Sequence, residues 1–136
     1  MQLTLRLSGN DLIRLHNHAE QSLPLEAAAL LFGRVQNNEV VVSHIEIVYN
    51  IAESRTSFSI DPETEYKLLV DAEEREADLV GIFHSHPAPP KPSSRDLQNM
   101  RLNPVVWLIS SKLTGSWVSR AYILDDNLEE VNLILT

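Results

Sequence analysis

Residues 79–96 constrain this chain more than any other stretch. Leu79-Val80-Gly81-Ile82-Phe83 has the length and apolar content of a buried strand, and it runs straight into His84-Ser85-His86-Pro87. Pro87, Pro89, Pro90 and Pro92 make the next segment a stiff, extended loop. Ser93-Ser94-Arg95-Asp96 then reads as the start of a helix running to about Leu102, capped by Ser93 or Ser94. In extended chain, residues i and i+2 face the same way, about 6.6 Å apart. Two imidazoles at that spacing can lean together and bring nitrogens to about 2.0–2.1 Å from one zinc ion. Asp96, in the first turn of the following helix, can supply a third ligand along the fixed path of the proline loop. Three protein ligands plus a water is the open arrangement of catalytic zinc, whereas structural zinc generally closes all four positions.

The rest of the chain supplies a scaffold. Leu3, Leu5 and Leu7 alternate with polar residues, as in a half-buried strand. Ser8-Gly9-Asn10-Asp11 offers caps for a helix whose apolar Leu12, Ile13, Leu15, Ala19 and Leu23 recur near helical spacing up to Pro24. Leu25 to Gly33 is an apolar run that suits either a helix or a buried strand, and periodicity does not separate the two. Val40 to Val48 reads as a strand, and Ser57-Phe58-Ser59-Ile60 as a weaker one. Asp61-Pro62 opens a helix with Tyr66, Leu69, Val70 and Ala77 on its buried face. Strands at 105–109, 117–124 and 128–135 follow, with turns at Thr114-Gly115 and Asp125-Asp126-Asn127. The expected fold is α+β or mixed α/β, a curved mixed sheet of roughly seven strands flanked by three helices, in one domain over 1–136.

Composition narrows the function. The net charge is -8 and the 11 basic residues are scattered, which argues against a nucleic-acid partner. The chain has no cysteine, which removes disulfides, thiolate zinc sites and a cysteine nucleophile, and fits a cytoplasmic location. No apolar run reaches the roughly 18 residues of a membrane span, so no membrane role is expected. His16 and His18 also stand two apart, but on a helix that spacing diverges, and both are expected at the surface. His44 is expected to be exposed or hydrogen-bonded, and Trp107 and Trp117 to pack in the core or on a sheet face.

Glu26, His84-Ser85-His86-Pro87 and Ser93-Ser94-Arg95-Asp96 together resemble the JAMM (MPN-plus, Mov34-like) zinc metallopeptidases, whose pattern is an upstream Glu, His-[Ser/Thr]-His-Pro and Ser-x-x-Asp. The segments Leu23 to Gly33 and Phe58 to Pro62 are similar to the family's as well, and the likeness covers about residues 10–124. The loop departs from the pattern, with five residues between Pro87 and Ser93 where the family usually has six. Taking Ser94 as the motif serine restores six but leaves Ser-x-Asp. Ser93 is preferred because the serine-to-aspartate spacing fixes a helical turn, whereas a loop can lose a residue.

The resemblance implies one zinc per chain held by His84, His86 and Asp96, Glu26 as general base beside the zinc-activated water, and Ser93 as oxyanion donor. Its small archaeal and bacterial deubiquitinase-like or desampylase-like members imply cleavage after the Gly-Gly tail of a ubiquitin-like modifier or sulfur-carrier protein. Isopeptide and linear bonds both stay open, as does a homodimer. Arg55 to Phe58 is the candidate sheet edge for such a tail. Two other readings are a noncatalytic MPN-type assembly module, whose members usually lose the ligands kept here, and a RadC-like DNA-repair-associated protein, against which the acidity of the chain argues.

Overall fold

A computed structural model describes every residue except Met1, Ala88 and Thr114. One position of the proline loop and one of the Thr114-Gly115 turn therefore lie outside the described residues. The elements are β1 (Thr4–Leu7), α1 (Gly9–Ser22), β2 (Ala28–Gln36), β3 (Glu39–Val48), α2 (Pro62–Glu74), β4 (Asp78–Ser85), α3 (Ser94–Leu102), β5 (Val106–Ser111), β6 (Val118–Leu124) and β7 (Leu128–Leu135). The class is the expected mixed α+β. The sheet runs β1-β3-β2-β4-β5-β6-β7 and curves until β1 pairs with β7, closing a barrel. The β1–β3, β1–β7 and β4–β5 pairs are parallel and the rest antiparallel.

Each helix begins where its sequence supplies a cap. Ser8 and Asp61 accept N–H bonds from Asp11 and Thr64, and Pro62 occupies the first turn of α2, where its missing N–H costs nothing. Ser93 caps α3 in a reciprocal box with Asp96.

Two cores share the sheet. Leu15 and Ala19 of α1 pack with Leu5, Leu31, Phe83 and Leu108 in one; Ala72 of α2 and Met100 of α3 pack with Leu30, Phe32, Ile82 and Trp107 in the other. The central strand β2 contributes to both, which resolves the Leu25–Gly33 run as strand: its residues are apolar on both faces because both faces are covered. At Gly33 the β2–β3 register shifts, and a Cβ there would stand 1.8 Å from the Val41 carbonyl oxygen, so only glycine lets the two backbones close this bulge.

The expected strand at 57–60 does not form. Its alternating apolar residues, Phe58 and Ile60, are half-buried against the second core, but no strand pairs with this segment. Its hydrogen bonds go instead to Asn50, whose Nδ2 donates to Ser57 O at 3.0 Å and whose Oδ1 accepts from Ser59 N at 3.0 Å, and to Ile51, whose N donates to Ser59 O at 2.9 Å. Arg55 to Phe58 is accordingly not a sheet edge.

Candidate active site

The sheet brings the two sequence signals together. Parallel pairing of β4 with β5 and antiparallel pairing with β2 put His84 opposite Ile109 on one side and Ala28 on the other, just past Glu26. The serine between the histidines fastens the strand ends: Ser85 Oγ accepts from Ala27 N at 2.8 Å and Ser85 N donates to Ala27 O at 3.0 Å. His86 N donates to Ser110 O at 2.8 Å, which holds the second histidine after β4 has ended. Ser85 is thus a backbone clamp.

His84 is fully buried and lies between two carboxylates. Its Nδ1 is 3.2 Å from Glu26 Oε1, and its Nε2 is 3.3 Å from Asp96 Oδ1. His86 Nε2 is 3.6 Å from Asp96 Oδ2. Glu26 and Asp96 are themselves buried. The ring of His84 stacks on Phe58 at 5.1 Å between centroids and meets the edge of Trp107 at 5.8 Å, so it has little room to swing. Asp96 is fixed by its own helix, since Ser93 N donates to Asp96 Oδ2 at 2.9 Å and Asp96 N to Ser93 Oγ at 3.1 Å. The cap geometry makes Ser93, not Ser94, the partner of Asp96. Its hydroxyl oxygen is engaged as an acceptor, which leaves its proton for another group.

Electrostatics follow from this burial. Burial disfavours the imidazolium of His84, but the facing carboxylates of Asp96 and Glu26 outweigh it and push its pKa up to about 9. Burial likewise favours the neutral carboxyl of Asp96; the His84 imidazole, the Ser93 N–H and His86 reverse this and hold it below its usual range.

As the side chains stand, no group of three or more His, Asp or Glu among the described residues is arranged to hold a metal ion; Asp96 pairs with each imidazole directly. The donor chemistry nevertheless fits a divalent cation. Imidazole nitrogens and carboxylate oxygens are usual protein ligands of zinc, and here the two imidazoles face different oxygens of Asp96, Oδ1 at 3.3 Å and Oδ2 at 3.6 Å. His84 Nδ1 stands 3.1 Å from Ser85 O; donating its proton there turns the Nε2 lone pair toward Asp96, as second-sphere bonds do for metal-binding histidines. His84 Nε2, His86 Nδ1 and Glu26 Oε1 are buried without a hydrogen-bond partner. Two buried carboxylates beside even a protonated His84 leave net negative charge in a place where unpaired charge is costly, and a dication with neutral imidazoles removes it.

Glu26, Ser85 and His86 line a surface cleft. Leu23, Pro24 and Leu25 form one wall, and Arg55, Lys112 and Trp117 add to the others. Lys112 and Trp117 both bond Glu20, whereas Arg55 has no ion pair among the described residues. Ser93 is not part of that lining. His16 and His18, expected at the surface, are half-buried: His16 Nε2 bonds Ser119 Oγ at 2.7 Å and His18 Nε2 bonds Ala28 O at 3.1 Å. His44 is half-buried and stacks on Phe32 at 5.1 Å. Trp107 is core, as expected, while Trp117 packs on the core and also faces the cleft. Sequence reasoning gave no structural part to Asn50, and Phe58 and Trp107 were not connected to His84, because these contacts join segments far apart in the chain.

Comparison with known proteins gives a consistent result. Residues 10–122 match the family described as prokaryotic homologs of the JAB domain. A protein of Pyrococcus furiosus named desampylase is 37% identical over 117 residues, 84% of this chain and 79% of that protein. One of Haloferax volcanii with the same name is 32% identical over 114 residues, 81% of each. The solution structure of a protein from Desulfitobacterium hafniense superposes with a TM-score of 0.83 at 30% identity, covering 98% of this chain and 93% of that one. One from Salinibacter ruber shares the fold, with a TM-score of 0.72 at 22% identity over 98% and 92%.

Proposed function

Because the chain belongs to the prokaryotic JAB-domain family, as a small JAMM-like member, we propose that it hydrolyses isopeptide bonds joining a ubiquitin-like modifier to lysine side chains, with zinc held by His84, His86 and Asp96. The observation that carries this reading is the convergence of Glu26, His84, Asp96 and His86 in one buried cluster, with Glu26 and His86 reaching the cleft. The names of the two relatives support the substrate class. A bound zinc would polarise the scissile carbonyl and bring the pKa of a water from 15.7 to around 7. Loading it requires the Asp96 and imidazole side chains to turn from each other onto a common centre, with the backbone held by Ser85, Ser93 and Ser110.

The remaining steps belong to the protein. Glu26, its Oε1 facing His84 Nδ1 at 3.2 Å and its side chain lining the cleft, takes a proton from the attacking water and passes it to the departing lysine nitrogen. That transfer is needed because an amine with a reference pKa of about 10.4 leaves poorly as its anion. Ser93, whose oxygen accepts from Asp96 N, donates its proton to the oxygen of the tetrahedral intermediate; losing one such donor raises the barrier by about 2.7–4 kcal/mol. The cleft between Leu23–Leu25 and Trp117 receives the modifier tail, with its glycines able to pass where a side chain would clash. Linear fusions of a modifier or sulfur-carrier protein fit the same chemistry. On the acidity of the chain and its lack of cysteine, we propose a cytoplasmic setting and a protein partner, not nucleic acid.

The test is cleavage of a Gly-Gly-tailed modifier conjugate by protein of measured zinc content. Wild type should release the modifier and a chelator should stop it. Glu26→Gln should keep its zinc and lose turnover by about 10²–10⁴-fold. A variant as fast as wild type removes Glu26 from the reaction. Zinc-loaded wild type that cleaves no conjugate favours the assembly-module reading.

A further inference from the structure

Glu26 lies outside the β ladder: β2 begins at Ala28. Sheet pairing therefore does not hold its peptide groups, although a general base has to be held within a fraction of an ångström of its proton. Both of them instead end on the segment that follows β3. Glu26 N donates to Ser54 O at 2.8 Å, and Glu26 O accepts from Asn50 Nδ2 at 2.9 Å. Asn50 is buried, and its carboxamide fills its remaining valences within the same segment. Nδ2 also donates to Ser57 O at 3.0 Å; Oδ1 accepts from Ala52 N at 3.1 Å and Ser59 N at 3.0 Å. One planar amide thus joins the base to residues 52, 57 and 59. The same segment presses Phe58 onto the His84 ring and carries Arg55 to the cleft wall.

We propose that Asn50 is a positioning residue whose side-chain amide fixes Glu26 against His84 and locks the base and the 51–59 segment, which brings Arg55 to the cleft, into one unit. The inference rests on the isopeptidase reading for the role of Glu26, but the structural tie stands apart from it. Asn50→Asp separates the two halves of the amide: the acceptor that holds Ala52 and Ser59 remains, and the donor to Glu26 and Ser57 is lost.

Zinc content, steady-state kinetics and amide hydrogen exchange on wild type, Asn50→Asp and Asn50→Ala test it. Both variants should bind zinc as wild type does. Asn50→Asp should lower kcat about 10²-fold with little change in KM, as expected for a displaced base. Asn50→Ala should lower kcat and also raise KM, because the segment that brings Arg55 to the cleft is released. Exchange at the Glu26 amide should quicken in both variants, and at Ala52 and Ser59 mainly in Asn50→Ala. Wild-type kcat in folded variants of lowered Tm would mean a merely structural role and would overturn the proposal. In wild type alone, the Glu26, Ala52 and Ser59 amides should exchange together; independent exchange of Glu26 overturns the tie even if neither variant folds. Failure of wild type to cleave any conjugate would count against the isopeptidase reading, while the exchange result would still decide the tie.

Discussion

His84 is the residue on which the site turns, because it is buried between Glu26 and Asp96 and must carry either a proton or a cation to satisfy them both. Without metal the proton is the answer, and its pKa of about 9 against a reference of 6.5 makes it a stability term. The folded-state value is raised, so the contribution is complete below about 6.5 and disappears as pH rises through about 9. Asp96 is shifted the other way: its contribution is present above its reference value of 3.8 and disappears as pH falls through its lower folded value. Together these two groups contribute most between about pH 4 and 6.5, whereas His16 and His18, lowered by burial, act the other way as pH falls below about 6.5. At 1.36 kcal/mol per unit metal-free protein should lose about 3 kcal/mol by pH 9, read by denaturant unfolding at a series of pH values. Zinc held by His84 as proposed would compete with its proton, so in the loaded protein this decline should be absent. A flat profile in the metal-free protein would mean that the two carboxylates do not share His84 as described.

At the scale of elements, α3 serves the site through its first turn. The Ser93–Asp96 box caps the helix and orients the carboxylate with the same two hydrogen bonds. Ser93→Ala should cost about 1 kcal/mol of stability and weaken zinc binding about 10–100-fold, measured by unfolding and by competition with a chelating dye. Ser94→Ala, at an exposed position, should do neither; the reverse result would assign the motif serine to Ser94. Much of this was legible in the sequence, because caps, the strand running into His-x-His and the proline loop are all local signals. The run at 25–33 was ambiguous because β2 is covered on both faces and so lacks the period of a half-buried strand. The segment at 57–60 alternates like a strand, yet it is held by the buried Asn50 amide and a backbone bond from Ile51, and nothing local announces partners seven to nine residues away. Phe58 and Trp107 against His84 depend on packing across the fold and could not be seen from spacing.

For the whole molecule, closure of the sheet through the parallel β1–β7 pair leaves two cores back to back, with the site where β4 ends between β2 and β5. The proposed ligands thus stand at the end of β4, just past it and at the start of α3, between both cores, so metal binding there should report on global stability. At a free zinc concentration a hundredfold above Kd, linkage adds about 2.7 kcal/mol, about 10 °C in Tm for a chain of this size. His84→Ala should abolish the shift; a shift of equal size in that variant would place the binding elsewhere. The most direct measurement is anomalous diffraction at the zinc edge from crystals grown with zinc. A single peak per chain is expected, about 2.0–2.1 Å from a nitrogen of His84, a nitrogen of His86 and a carboxylate oxygen of Asp96, with Glu26 beside it and not bonded to it. A peak on any other set of residues, or none at this cleft in crystals that hold zinc elsewhere, would contradict the assignment of these side chains as a catalytic metal site.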